Sequence, residues 1–292
     1  MILTTYALAS YDASSPHLEF VVLNDRSLRL IARNVTRPSN YLALARIGWV
    51  YERPLQAAFR YFVGHGEYPC SVRVRTPAGP QSVTLFNSHD AVTVHEIFCR
   101  QDYRCPSPPQ VVVDLGSNIG VSALYFLTRS PSSYCDLYEP DPRNVPKLLL
   151  NLQKFRDRFT LHETAVADRQ GLLSFTREPT GRYGSLEATT WIWTSPGTVE
   201  TERIDVRVEH VNTALDRAIS RHGVVDLLKI DTEGSELATL LAIDPKLRAH
   251  VRHIVIEWSD RRVTLDGFKT SPSCDTIMFS NKLGEHGRLP LV

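Results

Sequence analysis

The segment at residues 111–120, with the sequence VVVDLGSNIG, constrains the fold of this chain more than any other feature. Its three consecutive valines form a short apolar run, which is typical of a strand buried inside a parallel sheet. An aspartate, a loop bounded by Gly116 and Gly120, and an apolar stretch at 121–127 follow. We therefore predict a strand, a loop and a helix in that order. Asp114 lies at the carboxyl end of the predicted strand, where ligands of open α/β sheets bind.

The chemistry of this loop limits which cofactor it accepts. Gly116 and Gly120 allow close approach of backbone amides to a ligand at the start of a helix. Asn118 stands where a dinucleotide-binding loop has its middle glycine. The Asp114 carboxylate would repel a pyrophosphate but attract an ammonium or sulfonium group, and S-adenosylmethionine carries both of these without a phosphate. The next predicted strand ends at Glu139, an acid that suits the ribose hydroxyls of either cofactor.

Composition and charge exclude several classes of protein. The chain has 292 residues and 42% hydrophobic residues, as expected for a globular core. Its 33 basic and 32 acidic residues give a net charge of +1, so we expect no broad basic surface for nucleic acid or for an anionic membrane. The five cysteines are scattered and none forms a C-x-x-C pair. This pattern argues against a zinc site and is typical of a protein of the reducing cytoplasm.

From residue 111 onward, predicted strands and helices alternate, which indicates an α/β fold whose parallel sheet carries helices on both faces. The predicted strands are 111–114, 135–139, 159–163, 172–176, 205–209, 225–230 and 252–258. The predicted helices are 119–129, 142–155, 212–222 and 234–242.

The first part of the chain is predicted to be an extension of helices and hairpins. One hairpin is expected within 18–32, two helices within 38–63 separated at Pro54, and a second hairpin within 71–86. A helix should then begin at Asp90 as its N-cap. We divide the chain into an extension at 1–85, a main domain at 86–262 and a C-terminal tail at 263–292. The apolar character of the extension suggests a homodimer as a hypothesis.

Several further motifs occur in order along the main domain: YEPDP at 138–142, AVAD at 165–168, LKIDTEGSE at 228–236 and IVIE at 254–257. With the glycine loop, they resemble the FkbM-type family of S-adenosylmethionine-dependent methyltransferases over about residues 85–260. The resemblance implies the Rossmann-like sheet of class I methyltransferases. The LKIDTEGSE block is its most specific element, whereas the glycine loop alone indicates only the class.

The resemblance also implies roles for individual residues. The glycine loop would hold the methionine part of the cofactor through Asp114, Gly116, Ser117, Asn118 and Gly120. Glu139 would bind the ribose, Asp141 would lie near the adenine, and Pro140 between them would also belong to the cofactor site. Asp168 has two interpretations of equal weight, a contact to the adenine amino group or a turn residue before Gly171.

Methyl transfer to a hydroxyl needs a group that accepts the hydroxyl proton. The candidates at strand ends are Asp231, Glu233 and Glu257, and Lys229 would keep a neighbouring acid ionised or orient the acceptor. His89 is a further candidate base. Asp231, Glu233 and a histidine could instead bind Mg²⁺; we prefer the interpretation without a metal, because Lys229 can satisfy the same carboxylates.

The predicted function is therefore an O-methyltransferase that acts on a small molecule or oligosaccharide with a free hydroxyl, such as a glycan or a polyketide. An irregular segment at 179–201 contains Tyr183, Trp191 and Trp193, whose rings suit a sugar or an apolar acceptor. Two alternatives stay open. An NAD-dependent sugar-modifying enzyme is disfavoured by Asp114 and by the lack of a Tyr-x-x-x-Lys motif at the tyrosines considered, 103 and 138. A non-catalytic domain that binds S-adenosylmethionine would lack the base.

Overall fold

The fold is described from a computed structural model that covers residues 38–64, 66–181, 184–186, 201–257, 263–272 and 276–282. The first predicted hairpin, at 18–32, and the aromatic residues Tyr183, Trp191 and Trp193 lie outside these described residues. The strands are β1 (Cys70–Thr76), β2 (Gly79–Leu85), β3 (Val111–Leu115), β4 (Tyr134–Tyr138), β5 (Phe159–His162), β6 (Ala165–Ala167), β7 (Gly171–Arg177), β8 (Gly184–Ser185), β9 (Glu202–His210), β10 (Val225–Ile230), β11 (Val251–Glu257), β12 (Phe268–Pro272) and β13 (Thr276–Asn281). The α-helices are Pro38–Val50, Pro54–Val63, Ser88–Val94, Val121–Leu127, Val145–Asn151, Val211–His222, Glu236–Leu241 and Pro245–Arg248. A π-helical turn, His95–Arg100, and a 3-10 segment, Gln153–Arg158, complete the list.

The central sheet has seven strands in the order β12-β13-β11-β10-β3-β4-β5. Strands β11, β10, β3, β4 and β5 are parallel, and β13 runs antiparallel to both β11 and β12. The predicted Rossmann-like sheet of class I methyltransferases, mostly parallel, is confirmed. Parallel strands need covered faces, and this is why their sequences read as nearly continuous apolar runs.

Helices cover both faces of this sheet, as predicted. Successive residues of a strand point to opposite faces, so Val112 and Leu227 join one core while Val113 and Leu228 join the other. The first core also contains residues of the two N-terminal helices and of the β1–β2 hairpin. The N-terminal extension therefore packs on one face of the main sheet as part of the same core.

Two predicted strands of the parallel sheet are wrong in their placement. The strands predicted at 172–176 and 205–209 correspond to β7 and β9, which form a second sheet in the order β6-β9-β7-β8. Strands β7 and β9 pair antiparallel. A parallel neighbour needs a long crossover, usually a helix, and the sequence between these two strands contains no predicted helix.

Two smaller corrections concern the termini of the main domain. The segment 263–292, set apart as a tail, contributes β12 and β13 to the central sheet, where Ile277 and Phe279 are fully buried. The helix predicted to begin at Asp90 begins instead after Asn87, whose side chain accepts from two backbone amides while Asp90 completes a capping box. The N-cap is therefore Asn87, three residues before the predicted Asp90, and Asp90 occupies the N3 position.

Candidate active site

The carboxyl ends of the parallel strands bring four acids to one edge of the central sheet: Asp114 in β3, Glu139 after β4, Asp231 after β10 and Glu257 in β11. Strands β10 and β3 pair so that Lys229 lies directly beside Asp114. The crevice at this edge is where open α/β sheets bind their ligands.

Lys229 forms the buried centre of this edge. Its Nζ lies 3.0 Å from Asp114 Oδ1 and 3.3 Å from Asp231 Oδ2, and it donates to the carbonyl oxygens of Leu115 and Gly116 at 3.3 and 3.0 Å. Burial alone would lower the pKa of this ammonium group. The two carboxylates outweigh burial and raise the pKa of Lys229 above its usual value, so the lysine stays charged and links both acids.

Asp114 has a structural role that the sequence does not reveal. Its carboxylate is fully buried, with one oxygen at Lys229 and the other accepting from the Ser122 hydroxyl at 2.6 Å. Both oxygens are thus engaged within the protein. The prediction that Asp114 attracts the cofactor's charged groups stays untested, but here the carboxylate serves to hold Lys229.

Asp231 is ionised and closely bound. It accepts a hydrogen bond from the Tyr103 hydroxyl at 3.0 Å in addition to its contact with Lys229. Burial would raise the pKa of Asp231, but the Lys229 ammonium and hydrogen bonds from Glu257, Tyr103 and Lys229 together lower it. The carboxylate is consequently an anion that several donors orient.

Glu257 lies beside Asp231 and has a raised pKa. The residue keeps solvent access, but protein atoms crowd its carboxyl group. This burial, followed by the negative charges of Asp231, Glu233 and Glu96, raises the pKa of Glu257 well above its usual value. Two close carboxyl groups cannot both ionise readily, so Glu257 holds its proton more tightly than an isolated glutamate does. The structure thus brings three predicted candidates, Asp231, Glu233 and Glu257, to one place.

The glycine loop owes its shape to packing against the turn after β10. Gly116, Asn118 and Gly120 all have positive φ angles, of 78°, 47° and 85°, and a Cβ on Gly116 would lie 1.9 Å from the carbonyl oxygen of Asp231. A Cβ on Gly120 would contact leucine side chains at 3.2 Å. The glycines therefore allow two loops of the site to cross, whatever ligand they also hold.

This crossing gives a matched prediction for two glycines. Gly223 has the same φ as Gly116, 79° against 78°, but open space around its Cβ position. We expect Gly223→Ala to cost only the left-handed strain of about 1–2 kcal/mol. Gly116→Ala should cost about 1 kcal/mol more because the backbone of Asp231 must move. Urea unfolding of both variants measures the difference, and equal costs would contradict the crossing.

The residues predicted to hold the ribose and adenine fall into two groups. Glu139 is buried and accepts from the backbone amides of Asn118 and Asp141 at 2.7 and 2.9 Å. Burial raises the pKa of Glu139 to about 7 in spite of these hydrogen bonds. Asp141 is already bound by Arg177 at 2.7 Å and by Arg143 at 3.2 Å, so it orders the segment after β4.

The other predicted site residues lie around this core. Asp168 follows β6 and has Arg169 Nε at 3.4 Å from its Oδ1. Ser117 donates its hydroxyl to the carbonyl oxygen of Asp114 at 2.9 Å, within the glycine loop. Pro140 follows Glu139 directly. His89 lies in the first turn of the helix Ser88–Val94, and its role as a base stays a prediction.

Sequence analysis missed three residues of this site. Tyr103 contacts Asp231 across 128 positions, Ser122 holds Asp114, and Glu96 adds a charge near Glu257. None of them belongs to a motif. Only Ser122 carried a signal, since a polar residue one position into a fully buried helix has to find a partner nearby.

The described part of the chain bears on two further kinds of feature, a metal centre and a membrane-spanning helix. Within it, no group of three or more His, Cys, Asp or Glu residues is arranged to hold a metal ion. In the same ranges, no helix has the length and apolar character needed to cross a membrane.

Comparisons with known proteins agree with the topology. The model of the methyltransferase FkbM domain matches residues 114–280. The chain is 27% identical over 168 residues to the 2-O-methyltransferase NoeI of Sinorhizobium fredii, covering 53% of this chain and 66% of NoeI. It is 26% identical over 226 residues to the AMB antimetabolite synthetase AmbE of Pseudomonas aeruginosa, covering 68% of this chain but only 10% of AmbE.

Solved structures give weaker similarity. A methyltransferase from Geobacter sulfurreducens is 16% identical and has a TM-score of 0.34, with 59% of this chain and 70% of that chain covered. The fibrillarin pre-rRNA processing protein of Methanococcus jannaschii is 13% identical, with a TM-score of 0.32 and coverage of 59% and 66%. At such scores, neither structure bears on the substrate.

Proposed function

The chain belongs to the FkbM methyltransferase family, and from this membership we propose that it transfers a methyl group from S-adenosylmethionine to a hydroxyl oxygen of a glycan or secondary metabolite. The choice of oxygen rests on the carboxyl pair of Asp231 and Glu257 at the sheet edge, in which Lys229 holds Asp231. A relative, NoeI, is named a 2-O-methyltransferase. That name supports a hydroxyl oxygen as the acceptor here.

The donor set at the sheet edge fits S-adenosylmethionine. Glu139 offers carboxylate oxygens with remaining lone pairs next to the glycine loop, as ribose hydroxyls require. The ammonium group of Lys229 is buried between two carboxylates, so it is already engaged and is not available to bind a phosphate. The edge therefore suits a cofactor with ribose and cationic groups better than a dinucleotide.

The residues of the chain would prepare the acceptor for reaction. When bound, the cofactor supplies a methyl group on a sulfonium, which an oxygen attacks in line. The carboxyl pair can accept the hydroxyl proton only after Glu257 has lost its own proton. Asp231 does not serve as the base by itself, because its neighbours lower its pKa and hold it in the ionised form. Lys229 and Tyr103 keep Asp231 in place. Exclusion of water and alignment of the hydroxyl supply the rest of the rate enhancement.

Location and assembly are part of the same proposal. Four described cysteines, 70, 99, 105 and 135, are free thiols, which supports a reducing compartment such as the cytoplasm.

The N-terminal helices expose Trp49 at 74% and Leu55 at 86%. Large exposed apolar side chains support association of this face with a second copy, and a monomeric mass at micromolar concentration would exclude the dimer.

Calorimetric titration tests the cofactor first. We expect S-adenosylmethionine and S-adenosylhomocysteine to bind and NAD not to bind. Glu139→Gln removes a charged acceptor from the ribose site, so the Kd for both ligands should rise by about tenfold or more. The matched control is Glu163→Gln, at an exposed glutamate, which should leave both values unchanged. Binding of NAD alone would move the chain to the dehydrogenase class.

The same titration should depend on pH in a defined direction. Ribose hydroxyls donate to the ionised carboxylate, and the pKa of Glu139 is about 7 in the free protein. Below pH 7 the group is protonated and must lose its proton on binding, so the affinity should fall by up to about tenfold per pH unit. Above pH 7 it should be constant. The Glu139→Gln variant should show no such dependence.

Mass spectrometry of acceptors tests methyl transfer itself. Hydroxylated glycans and polyketides incubated with the protein and S-adenosylmethionine should gain the mass of one methyl group. Methylation at nitrogen or at a carboxylate would show that the target is not the oxygen of an alcohol. Tight cofactor binding with no acceptor turned over across the panel would favour the alternative of a domain that binds S-adenosylmethionine without catalysis.

A further inference from the structure

A cavity lined by Tyr103 lies next to the candidate active site. Its volume is about 360 Å³, within the range of about 300–1,000 Å³ that small-molecule sites occupy. Three segments form its walls: the N-terminal helix through Arg46, the segment before β3 through Arg104, and the end of the helix Val121–Leu127 through Arg129. The cavity therefore lies between the N-terminal extension and the main sheet.

The walls of this cavity carry three guanidinium groups and no acidic side chain among the described lining residues. Arg46 donates to the carbonyl oxygen of Cys99 at 2.9 Å, and Arg129 donates to that of Tyr125 at 3.2 Å. Each guanidinium has five N–H donors, so most of them stay available. The Arg129 guanidinium also lies over the Tyr125 ring, 4.3 Å from its centroid, which fixes its plane.

All three arginines influence the hydroxyl group of Tyr125. The positive charges of Arg129, Arg104 and Arg46 each lower the pKa of the Tyr125 hydroxyl, although burial raises it overall. The three guanidinium groups and Tyr125 line the same cavity. Two carboxylates border the region, and both are engaged elsewhere: Asp226 by Arg252 at 2.6 Å and by the backbone amide of Gln110, and Asp231 by Lys229.

We propose that this cavity binds a phosphoryl dianion carried on a small organic molecule, as in a phosphate monoester. Three guanidinium groups in one cavity exceed what a single carboxylate needs, and the planar fork of arginine matches the oxygens of phosphate in pairs. Tyr125, Pro108 and Pro109 supply apolar walls for the organic part. This site is separate from the proposed methyl transfer and does not depend on it.

The cavity borders the candidate active site through Tyr103. The ring of Tyr103 lines the cavity, whereas its hydroxyl donates to Asp231 at 3.0 Å. A ligand in the cavity therefore contacts the same side chain that orients the carboxyl pair.

Titration calorimetry at constant ionic strength tests the site without any methyl donor or acceptor. The probes are inorganic phosphate and phenyl phosphate, with chloride as the reference anion. We expect both to bind the unmodified protein. Tighter binding of phenyl phosphate would assign the site to an ester, and equal binding would assign it to the free anion.

Variants make the assignment specific. Arg104 is exposed, so Arg104→Gln should fold normally and should raise the Kd for phosphate about tenfold. Arg104→Lys should retain part of the affinity through its charge. The control Arg203→Gln removes an exposed arginine from β9 and should bind phosphate as the unmodified protein does. Absence of phosphate binding, or equal loss in Arg104→Gln and Arg203→Gln, overturns the proposal.

Discussion

Replacing Lys229 by methionine is expected to destabilise the protein by about 3–5 kcal/mol, the usual cost of removing one partner from a buried ion pair. The variant keeps the volume of the side chain but leaves the fully buried Asp114 with Ser122 as its remaining side-chain partner. Two carbonyl oxygens, those of Leu115 and Gly116, lose a donor as well. Urea unfolding should therefore show a midpoint well below that of the unmodified protein.

Two further variants identify the cause of this loss. In the double variant Asp114→Asn with Lys229→Met the unpaired charge is gone, so the double variant should be more stable than Lys229→Met alone. Lys246→Met, at an exposed lysine, should change stability by no more than about 0.5 kcal/mol. If the double variant were less stable than the single one, the ion pair between Lys229 and Asp114 would not be the source.

This ion pair also shows how far the sequence could predict the site. Strands β3 and β10 were predicted correctly, β3 from the valine run at 111–113 and β10 from the apolar residues around Lys229. Buried parallel strands leave a clear apolar signature of this kind. A contact of Lys229 with neighbouring acids was predicted as well. The sequence could not show that Asp114 is one of them, since the pairing register of β10 with β3 alone brings them together.

Long-range contacts and weak strands could not be predicted from the sequence, and the reason is physical. Tyr103 precedes β3 in an irregular segment, and its contact with Asp231 follows from the fold of the whole sheet. Strands β12 and β13 are short and contain serine and proline, so their apolar alternation is faint. Strand β13 is stabilised by pairing with β11 and by burial of Ile277 and Phe279 rather than by local preference, and β12 in turn pairs with β13.

The glycine loop shows a case in which one pattern has two causes. Its glycines were predicted from ligand binding, yet Gly116 is required by the close approach of Asp231 and Gly120 by leucine side chains. Both causes produce the same residue type at the same position. A sequence pattern of glycines is therefore weak evidence for a ligand until the space around each glycine is known.

The largest effect on activity is expected at the carboxyl pair. Both Asp231→Asn and Glu257→Gln should lower kcat by about 10²–10⁴-fold, the contribution of a general base. The Kd for S-adenosylmethionine should stay near its original value in each, because Glu139 and the glycine loop are unchanged. Lys229 keeps Asp114 as its partner in the Asp231→Asn variant, so the protein should remain folded. If cofactor affinity falls together with kcat, Asp231 holds the cofactor instead.

The dependence of the rate on pH distinguishes the two members of the pair. In the unmodified protein kcat should rise with pH, since burial and the neighbouring carboxylates raise the pKa of Glu257 and its proton must leave before it can act as a base. Glu257→Gln should abolish this rise. Asp231→Asn removes one of the negative charges responsible, so the residual activity should rise at lower pH than in the unmodified protein. A rise that stays at the same pH in Asp231→Asn would show that Asp231 does not raise the pKa of the group responsible, and the base would then have to be sought at Glu233 or His89.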